Sequence, residues 1–204
     1  MNKASVTKIR DEILEAALPV AVKQGWTLET LNEAAKKVGH SPQKLRAAFP
    51  GGVGDALSHF ADMADRGMLQ NLKKIDIDYL RAHERVRAAL IARYKWLAPR
   101  KDAFRASLSF WASPFHKARA GKIVWRTADR IWDYAGDEAT DYNRYTKRAL
   151  LSGIIAASTL AWMNDQDVEN MDDLKAFIDR RMENVMQLNK GIGFIKGIIQ
   201  KRAS

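Results

Sequence analysis

Apolar residues along the chain follow a helical period almost throughout. They recur three or four positions apart, as in the stripe formed by Ile9, Ile13 and Leu14, whereas the alternation typical of a half-buried strand is absent from the sequence. Glycine and proline divide this pattern into segments, since Gly25 ends the first one and Pro42 opens the third. The sequence therefore predicts an all-α protein of about nine or ten helices.

Capping residues predict the segment boundaries near the amino terminus. Thr27 predicts the N-cap of a second helix over residues 28–38, and Ser41 predicts that of a third helix over residues 42–49. Pro19 lies inside the first stripe and predicts a kink there. Longer helices are predicted at residues 55–73, 79–97, 102–112, 114–134, 138–163 and 171–188.

The three short helices at the start outline a helix-turn-helix. The stretch ILEAALPVAVKQGWTLETLNEAAKKVGHSPQKLRAAFPGG resembles the DNA-binding head of TetR-type regulators. The resemblance implies a TetR-like fold, in which residues 1–50 form a degenerate head and residues 51–188 a larger helical domain for ligand binding and dimerisation. Residues 189–204 then form a separate tail.

The charge of the head argues against DNA recognition. Residues 1–60 hold eight basic and six acidic residues, and the candidate recognition helix carries only Lys44 and Arg46. Because phosphate contacts supply most non-specific affinity for DNA, a near-neutral head predicts no specific nucleic-acid partner. A TetR-type transcriptional regulator that binds DNA and a hydrophobic effector stays the alternative function.

A second resemblance concerns the aromatic and charged residues around Gly136. The element W-x-x-A-G-D occupies residues 132–137, and D-[FY]-x-x-Y-[ST]-[KR]-R occupies residues 141–148. Together with the surrounding chain, these elements resemble the ninth coenzyme-Q protein family, whose members are TetR-like lipid-binding accessory proteins of ubiquinone biosynthesis. The resemblance implies a non-catalytic role, in which a helical cavity binds an isoprenoid lipid or phospholipid and quinone intermediates are presented to the demethoxyubiquinone hydroxylase.

The same resemblance implies a patch that docks the hydroxylase. It assigns Asp129, Trp132 and Asp133 to this patch, and we expect Tyr145 to belong to it as well. At helical spacing the first three residues share one face. The alternative is that the two aromatic side chains fill the core and that the charged residues pair across the turn at Gly136.

Large apolar side chains of the middle helices are candidates for the lipid-binding lining. The same set fits a packed core or the interface of a homodimer, because apolar stripes at helical spacing usually pack inside a domain. The candidates are Phe110, Trp111, Phe115, Trp125, Leu151, Ile154, Ile155 and Trp162, with Ile123, Leu150 and Leu160 beside them.

The tail, residues 189–204, has an apolar stripe flanked by lysines. About 14 helical residues reach about 21 Å, which is too short to cross a bilayer. The pattern predicts an interfacial anchor on a membrane surface, and a last core helix that folds back is the alternative. The predicted membrane residues are Ile192, Phe194, Ile195, Ile198 and Ile199.

Composition narrows the chemistry. The chain has no cysteine, so disulfides and thiolate chemistry are excluded, and its four histidines lack the spacing of metal ligands. No nucleophile elbow or phosphate loop occurs, so we predict no metal, no cofactor and no enzyme activity. With no apolar leader visible, we expect a cytoplasmic protein peripheral to the inner membrane.

Positive charge is concentrated in the middle of the chain. The net charge is +10, and the segment from Arg81 to Arg130 alone carries 13 basic and three acidic residues. Such an excess is expected to attract an anionic polymer, an anionic membrane or an acidic protein.

Overall fold

The computed structural model describes residues 3–76, 79–140, 142–165, 171–185 and 187. These residues are helical with short connections and contain no strand, which confirms the all-α prediction. Eight α-helices have defined bounds, slightly fewer than predicted, and residues 172–185 are helical as well. The helices are α1 (Lys3–Gln24), α2 (Leu28–Lys37), α3 (Pro42–Ala48), α4 (Val53–Leu72), α5 (Ala82–Leu97), α6 (Lys101–Ala112), α7 (Lys117–Tyr134) and α8 (Tyr142–Asn164).

Both predicted caps of the head are confirmed. The Thr27 side chain accepts a hydrogen bond from the Thr30 amide at 3.1 Å, and the Ser41 side chain accepts one from the Lys44 amide at 3.2 Å. These bonds satisfy amide groups that the first turn of a helix leaves without partners. The first helix, α1, continues through Pro19 to Gln24.

The hydrophobic core runs without a break from the head into the rest of the protein. Trp26 is only 7% exposed, and its indole nitrogen donates to the Ala103 carbonyl oxygen at 2.9 Å. Its ring also lies 5.7 Å from that of Phe60 in α4. The contacts fasten the turn between α1 and α2 to α4 and α6.

A glycine allows α4 and α5 to pack closely. A Cβ atom at Gly67 would collide with the ring of Trp96, so a larger residue there would push the two helices apart. This close approach brings buried Asp65 of α4 next to Arg93 of α5, with Arg93 Nε donating to Asp65 Oδ1 at 3.0 Å.

The last part of the body consists of α6, α7 and α8, followed by the helical residues 172–185. A short 3₁₀ turn, Pro114–His116, precedes α7, where the sequence predicted one continuous helix from residue 114. Among the described residues, α8 begins at Tyr142 rather than at the predicted residue 138. The preceding residues 135–137 instead close the end of α7.

Candidate functional site

An apolar cavity of about 290 Å³ lies among α4, α5, α6, α7 and α8. Two helices contribute residues at helical spacing: positions 104, 107, 108 and 111 in α6, and positions 120, 123, 124 and 127 in α7. Small residues at Ala61, Ala120 and Ala156 leave space where larger side chains would meet. The other lining residues are Leu57, Phe60, Arg93, Phe104, Ser107, Leu108, Trp111, Ile123, Val124, Thr127, Ile155, Thr159 and Leu160.

One polar residue of the cavity wall, Arg93, belongs to a buried ion pair. Arg93 binds Asp65, which is 0% exposed. Thr127 donates to the same carboxylate, with oxygen distances of 3.0 and 3.1 Å, and Arg130 Nη1 lies 3.1 Å from Asp65 Oδ2. Arg126 Nε is 3.7 Å from that oxygen. We refer to Asp65 with Arg93, Arg126, Thr127 and Arg130 as the Asp65 cluster.

The predicted lipid-binding residues fall in several places. Trp111 and Ile155 line this cavity, together with Ile123 and Leu160. Leu151 and Ile154 line a second cavity of about 150 Å³, which also contacts Leu150, Trp132, Lys147 and residues of the 172–185 helix. The structure therefore divides the predicted set between two cavities.

The other predicted lipid-binding residues do not line either cavity. Trp162 is fully buried and packs on Tyr94 and Phe104. Phe110 stacks on His116, with ring centroids 3.8 Å apart. Trp125 and Phe115 face outward and are 37% and 92% exposed.

Sequence reasoning missed much of the larger cavity's wall. Leu57 and Phe60 come from α4, and Phe104, Leu108 and Val124 extend the stripes of α6 and α7. Their helical spacing was visible in the sequence, but it is shared with residues that simply fill the core. Arg93 was missed because a single arginine on a helix gives no sign that it will be buried.

The turn after α7 has the hydrogen bonds of a Schellman motif. Gly136 has a φ of +81°, which a residue with a side chain rarely adopts. The Asp137 amide donates to the Trp132 carbonyl at 3.0 Å, and the Gly136 amide donates to that of Asp133 at 3.2 Å. Gly136 therefore ends α7 in a left-handed cap, which directs Asp137 back toward α8.

Three carboxylates surround one buried arginine where α7 meets α8. Arg148 is 1% exposed and contacts Asp129, Asp133 and Asp137. Lys147 Nζ adds a bond to Asp137 Oδ1 at 2.6 Å. Burial opposes ionisation of Asp137, but hydrogen bonds from Lys147 and Arg148 outweigh it and hold the pKa of this carboxyl below its ordinary value. We call Arg148 and these three aspartates the Arg148 cluster.

The structure shows where the predicted docking residues lie. The side chain of Asp133 is 59% exposed and that of Asp129 is 33% exposed, although both contact Arg148. Trp132 is half-buried, and its indole nitrogen donates to the Lys147 carbonyl at 3.1 Å. Tyr145 is 61% exposed and lies next to Trp125 rather than next to the two aspartates, with ring centroids 6.4 Å apart.

Two other predictions concern membranes and metals. The predicted membrane residues Ile192, Phe194, Ile195, Ile198 and Ile199 lie outside the described residues. None of the helices in the described part of the chain combines the length and hydropathy needed to cross a bilayer. Within that same part, no group of three histidine, aspartate or glutamate residues is arranged to hold a metal ion.

Comparison with known sequences points to one family. Residues 118–189 match the COQ9 family model, which covers α7, the Arg148 cluster and α8. The "Ubiquinone biosynthesis protein COQ9, mitochondrial" of Rattus norvegicus is 27% identical over 191 residues, covering 90% of this chain and 61% of the relative. The human protein of that name is 26% identical, covering 90% and 59%. The Drosophila melanogaster protein is 27% identical over 207 residues, covering 97% and 61%.

These matches confirm the resemblance to the ninth coenzyme-Q protein family. The chain spans about three fifths of the length of the curated relatives that it matches.

Comparison with solved structures concerns the fold. A TetR transcriptional regulator from Nitrosomonas europaea superposes with a TM-score of 0.68 and 21% identity, covering 86% of this chain and 97% of that one. A TetR transcriptional regulator from a Rhodococcus species gives a TM-score of 0.64 and 19% identity, covering 89% and 96%. At such identities the likeness shows the fold alone, and the predicted TetR-like fold is confirmed.

Proposed function

Starting from its similarity to the COQ9 proteins, we propose that this chain is a lipid-binding, membrane-peripheral accessory protein of ubiquinone biosynthesis. It holds an isoprenoid or phospholipid ligand and presents quinone intermediates to the demethoxyubiquinone hydroxylase, without catalysing a reaction itself. The observation that carries the proposal is the larger cavity, an apolar space lined by five helices.

The size and lining of the cavity support an apolar ligand. Its volume of about 290 Å³ lies near the lower end of the range for small-molecule pockets, which is roughly 300–1,000 Å³. Water inside would find few hydrogen-bonding partners, so replacing it with hydrocarbon is favourable at about 25 cal/mol per Å² of apolar surface buried. Leu160 belongs to the wall and is 65% exposed, so a longer chain can continue past it.

For the hydroxylase, the proposed docking face comprises Asp129, Trp132 and Asp133, with Tyr145 at its edge. The exposure of Asp133 and Tyr145 supports this assignment, because both side chains keep more than half of their surface available to a partner. Aromatic side chains are also enriched among the residues that dominate binding energy at interfaces.

Membrane association is proposed to come from residues 189–204, whose sequence combines an apolar stripe with lysines. On this proposal the protein is cytoplasmic and peripheral to the inner membrane. We also propose that it acts as a homodimer. The support is its TetR-like fold, because the resemblance to TetR-type regulators implies that residues 51–188 form a dimerisation domain.

A cavity-filling substitution tests ligand binding. Ala61→Phe places a ring in the larger cavity, whereas Ala149→Phe adds the same ring on the exposed side of α8. Lipids that co-purify with each protein are then quantified by mass spectrometry. The wild type and Ala149→Phe should carry similar amounts of lipid, and Ala61→Phe should lose most of it. Equal lipid in all three folded proteins would contradict binding in this cavity.

The alternative, a DNA-binding regulator, draws support from the head itself. Both N-caps of the helix-turn-helix are formed, and Lys44 and Arg46 are exposed on α3. Selection from a random duplex library separates the two functions. We expect no enriched motif, because two exposed cations on α3 offer few phosphate contacts, whereas a tight sequence-dependent site would favour the regulator.

A further inference from the structure

The larger cavity has a buried polar side and an exposed apolar side. Arg93, Ser107 and Thr127 are 5%, 2% and 1% exposed, whereas Leu160 is 65% exposed. A ligand that enters past Leu160 therefore meets the polar groups only when it is deep inside the wall of helices. The arrangement suits a molecule with a polar head and a single hydrocarbon chain.

The hydroxyl groups of the cavity wall already donate hydrogen bonds to other groups of the protein. Ser107 Oγ donates to the Phe104 carbonyl at 2.7 Å, and Thr127 Oγ1 donates to the Asp65 carboxylate. Thr159 Oγ1 donates to the Ile155 carbonyl at 2.8 Å. These groups therefore fix the wall but bring no free donor to a ligand.

Arg93 is different, because part of its guanidinium group is unused. Its Nε donates to Asp65, and neither of its terminal nitrogens has a hydrogen-bond partner among the described residues. Asp65 accepts from Arg93 through Nε only, and its other hydrogen bonds come from Thr127 and Arg130. The donors of the two terminal nitrogens therefore remain available to a ligand that brings an acceptor into the cavity.

The charge around Asp65 also leaves room for an anion. Three arginines lie around this single buried carboxylate. Asp62 and Asp11 extend the network by pairing with Arg66, and Asp62 also binds Arg130. The connected network thus contains four guanidinium groups and three carboxylates, an excess of one positive charge. One carboxylate on a ligand would balance it.

We propose that Arg93 anchors the head group of the ligand in this cavity, and that the head group it recognises is a carboxylate on a single-chain amphipathic molecule. The hydrocarbon chain extends along α7 from Thr127 toward Ala120 and leaves the cavity past Leu160. Asp65 positions Arg93 through Nε, and the terminal nitrogens bind the carboxylate oxygens in the paired geometry that arginine favours. The inference rests on the proposed function in requiring that the cavity binds a ligand.

Three probes with the same chain and different heads test it: dodecanoate, dodecanol and dodecyltrimethylammonium. Their affinities are measured by calorimetry on delipidated protein below the micelle concentration of each probe. We expect dodecanoate to bind at least roughly tenfold more tightly than the other two, which is the gain expected for one hydrogen bond to a charged group. Similar affinities for the three probes would overturn the carboxylate assignment while leaving apolar binding in place.

A pair of variants then assigns the discrimination to a residue. Arg93→Met should abolish the preference for dodecanoate over dodecanol. Arg87→Met is the matched control, because Arg87 lies on the same helix and pairs with Asp179 at the surface. The ratio of two affinities is compared, so a partly unfolded sample does not distort the result.

Arg93→Lys sharpens the test further. It keeps the positive charge but loses the planar pair of donors, so the preference for dodecanoate should fall without vanishing. If Arg93→Met keeps the full preference, Arg93 is not the anchor. If none of the three probes binds the wild type, the proposed function of the cavity fails together with this inference.

Discussion

The two charged clusters of this protein have opposite compositions. The Asp65 cluster holds one buried carboxylate among three arginines, and the Arg148 cluster holds one buried guanidinium among three carboxylates. They also differ in how the chain assembles them. The partners of Asp65 lie 28 to 65 residues away, whereas those of Arg148 lie 11 to 19 residues away. One cluster ties α4, α5 and α7 together, and the other closes a single helical hairpin.

This difference determines what each cluster contributes. Because the Asp65 cluster joins three helices around the larger cavity, we expect its disruption to destabilise the tertiary fold. Two of the three carboxylates of the Arg148 cluster lie partly in solvent, since Asp129 and Asp133 are 33% and 59% exposed, whereas Asp137 is buried. Water can therefore hydrogen-bond to these two carboxylates if Arg148 is lost, and both remain accessible to a partner protein.

The largest expected effect comes from Asp65→Asn. It leaves the charges of Arg93, Arg126 and Arg130 close together without their shared carboxylate, so we expect a loss of about 3–5 kcal/mol in the free energy of unfolding. Urea denaturation followed by circular dichroism measures it. Asp62→Asn is the control, since Asp62 is more exposed, at 21%, and should cost less. A loss below that of Asp62→Asn would show that the cluster does not hold the fold together.

Arg148→Met should have a smaller effect, about 2 kcal/mol, because it leaves mainly the buried Asp137 with one fewer partner. Lys147 still binds Asp137, and Arg144 still binds Asp129 at 2.9 Å. The same urea titration compares it with Arg144→Met, whose 38% exposed side chain should cost under about 1 kcal/mol. A cost equal to that of Asp65→Asn would mean that the hairpin clamp is as essential as the buried network.

Acid should weaken the protein in two pH ranges, one set by His59 of α4 and the other by Asp137 of the Arg148 cluster. Burial lowers the pKa of the His59 imidazole below its ordinary 6.5, against the influence of Asp11, whose Oδ1 lies 2.7 Å from His59 Nε2. Between the folded and the unfolded pKa the unfolded chain binds the additional proton. The stability associated with neutral His59 is therefore present above pH 6.5 and is lost as the pH falls.

His59→Gln should accordingly flatten the dependence of unfolding free energy on pH just below 6.5, where one group contributes at most about 1.4 kcal/mol per pH unit. Asp137→Asn should leave that range unchanged. Because the pKa of Asp137 is lowered, its contribution is lost only at more acidic pH, as the carboxyl is protonated below its ordinary pKa. Urea titrations at several pH values measure both, and an unchanged slope for His59→Gln would contradict the assignment.

The smallest effect on stability is expected for Asp133→Asn. Its carboxylate is the most exposed of the three and lies 3.3 Å from Arg148 Nη2, so the free energy of unfolding should change by less than about 0.5 kcal/mol. If Asp133 belongs to the docking face, capture of the hydroxylase should weaken about tenfold. Unchanged capture would exclude its carboxylate from the docking contact.

Trp132→Ala is a less selective probe of docking, because it also removes the hydrogen bond to the Lys147 carbonyl and part of the wall of the smaller cavity. A melting curve therefore has to accompany any pull-down with that variant. Asp133→Asn separates docking from folding more cleanly.

Features that depend on neighbouring residues could be predicted from the sequence, whereas contacts between distant residues could not. Thr27 and Ser41 were assigned correctly because caps depend on residues within one helical turn. Pairing of charges across the turn at Gly136 was foreseen as one alternative for the same reason. The Asp65 cluster was not foreseen, since nothing local indicates which arginine will meet a carboxylate 28 or 65 positions away.

The sequence also could not show which large apolar residues line a cavity, which fill the core and which face solvent. Trp162 and Phe115 both looked like lining candidates, yet one is 0% and the other 92% exposed. Periodicity identifies a face of a helix, but whether that face meets a cavity, a core or solvent depends on the small residues opposite it, such as Ala61.

The distribution of charge along the sequence also did not predict how much positive charge stays unpaired in the folded protein. Arg100, Arg119 and Arg130 belong to the strongly basic segment, but they pair with Glu15, Asp55 and Asp62 from α1 and α4. Part of the positive charge of the middle third is therefore neutralised in the folded protein by acidic residues of the first third.

The bond from Trp26 to the Ala103 carbonyl bears on whether the helix-turn-helix is a separable module. A chain that began after residue 50 would lose the indole that packs on Phe60 and leave the Ala103 oxygen without its donor. It would also lose Asp11, to which Arg66 and His59 bind. The head is therefore not an independent module that could be removed or replaced without disturbing the rest of the protein. Its residues belong to the same hydrophobic core as the rest of the protein, so we expect the head to be needed for stability whether or not it binds DNA.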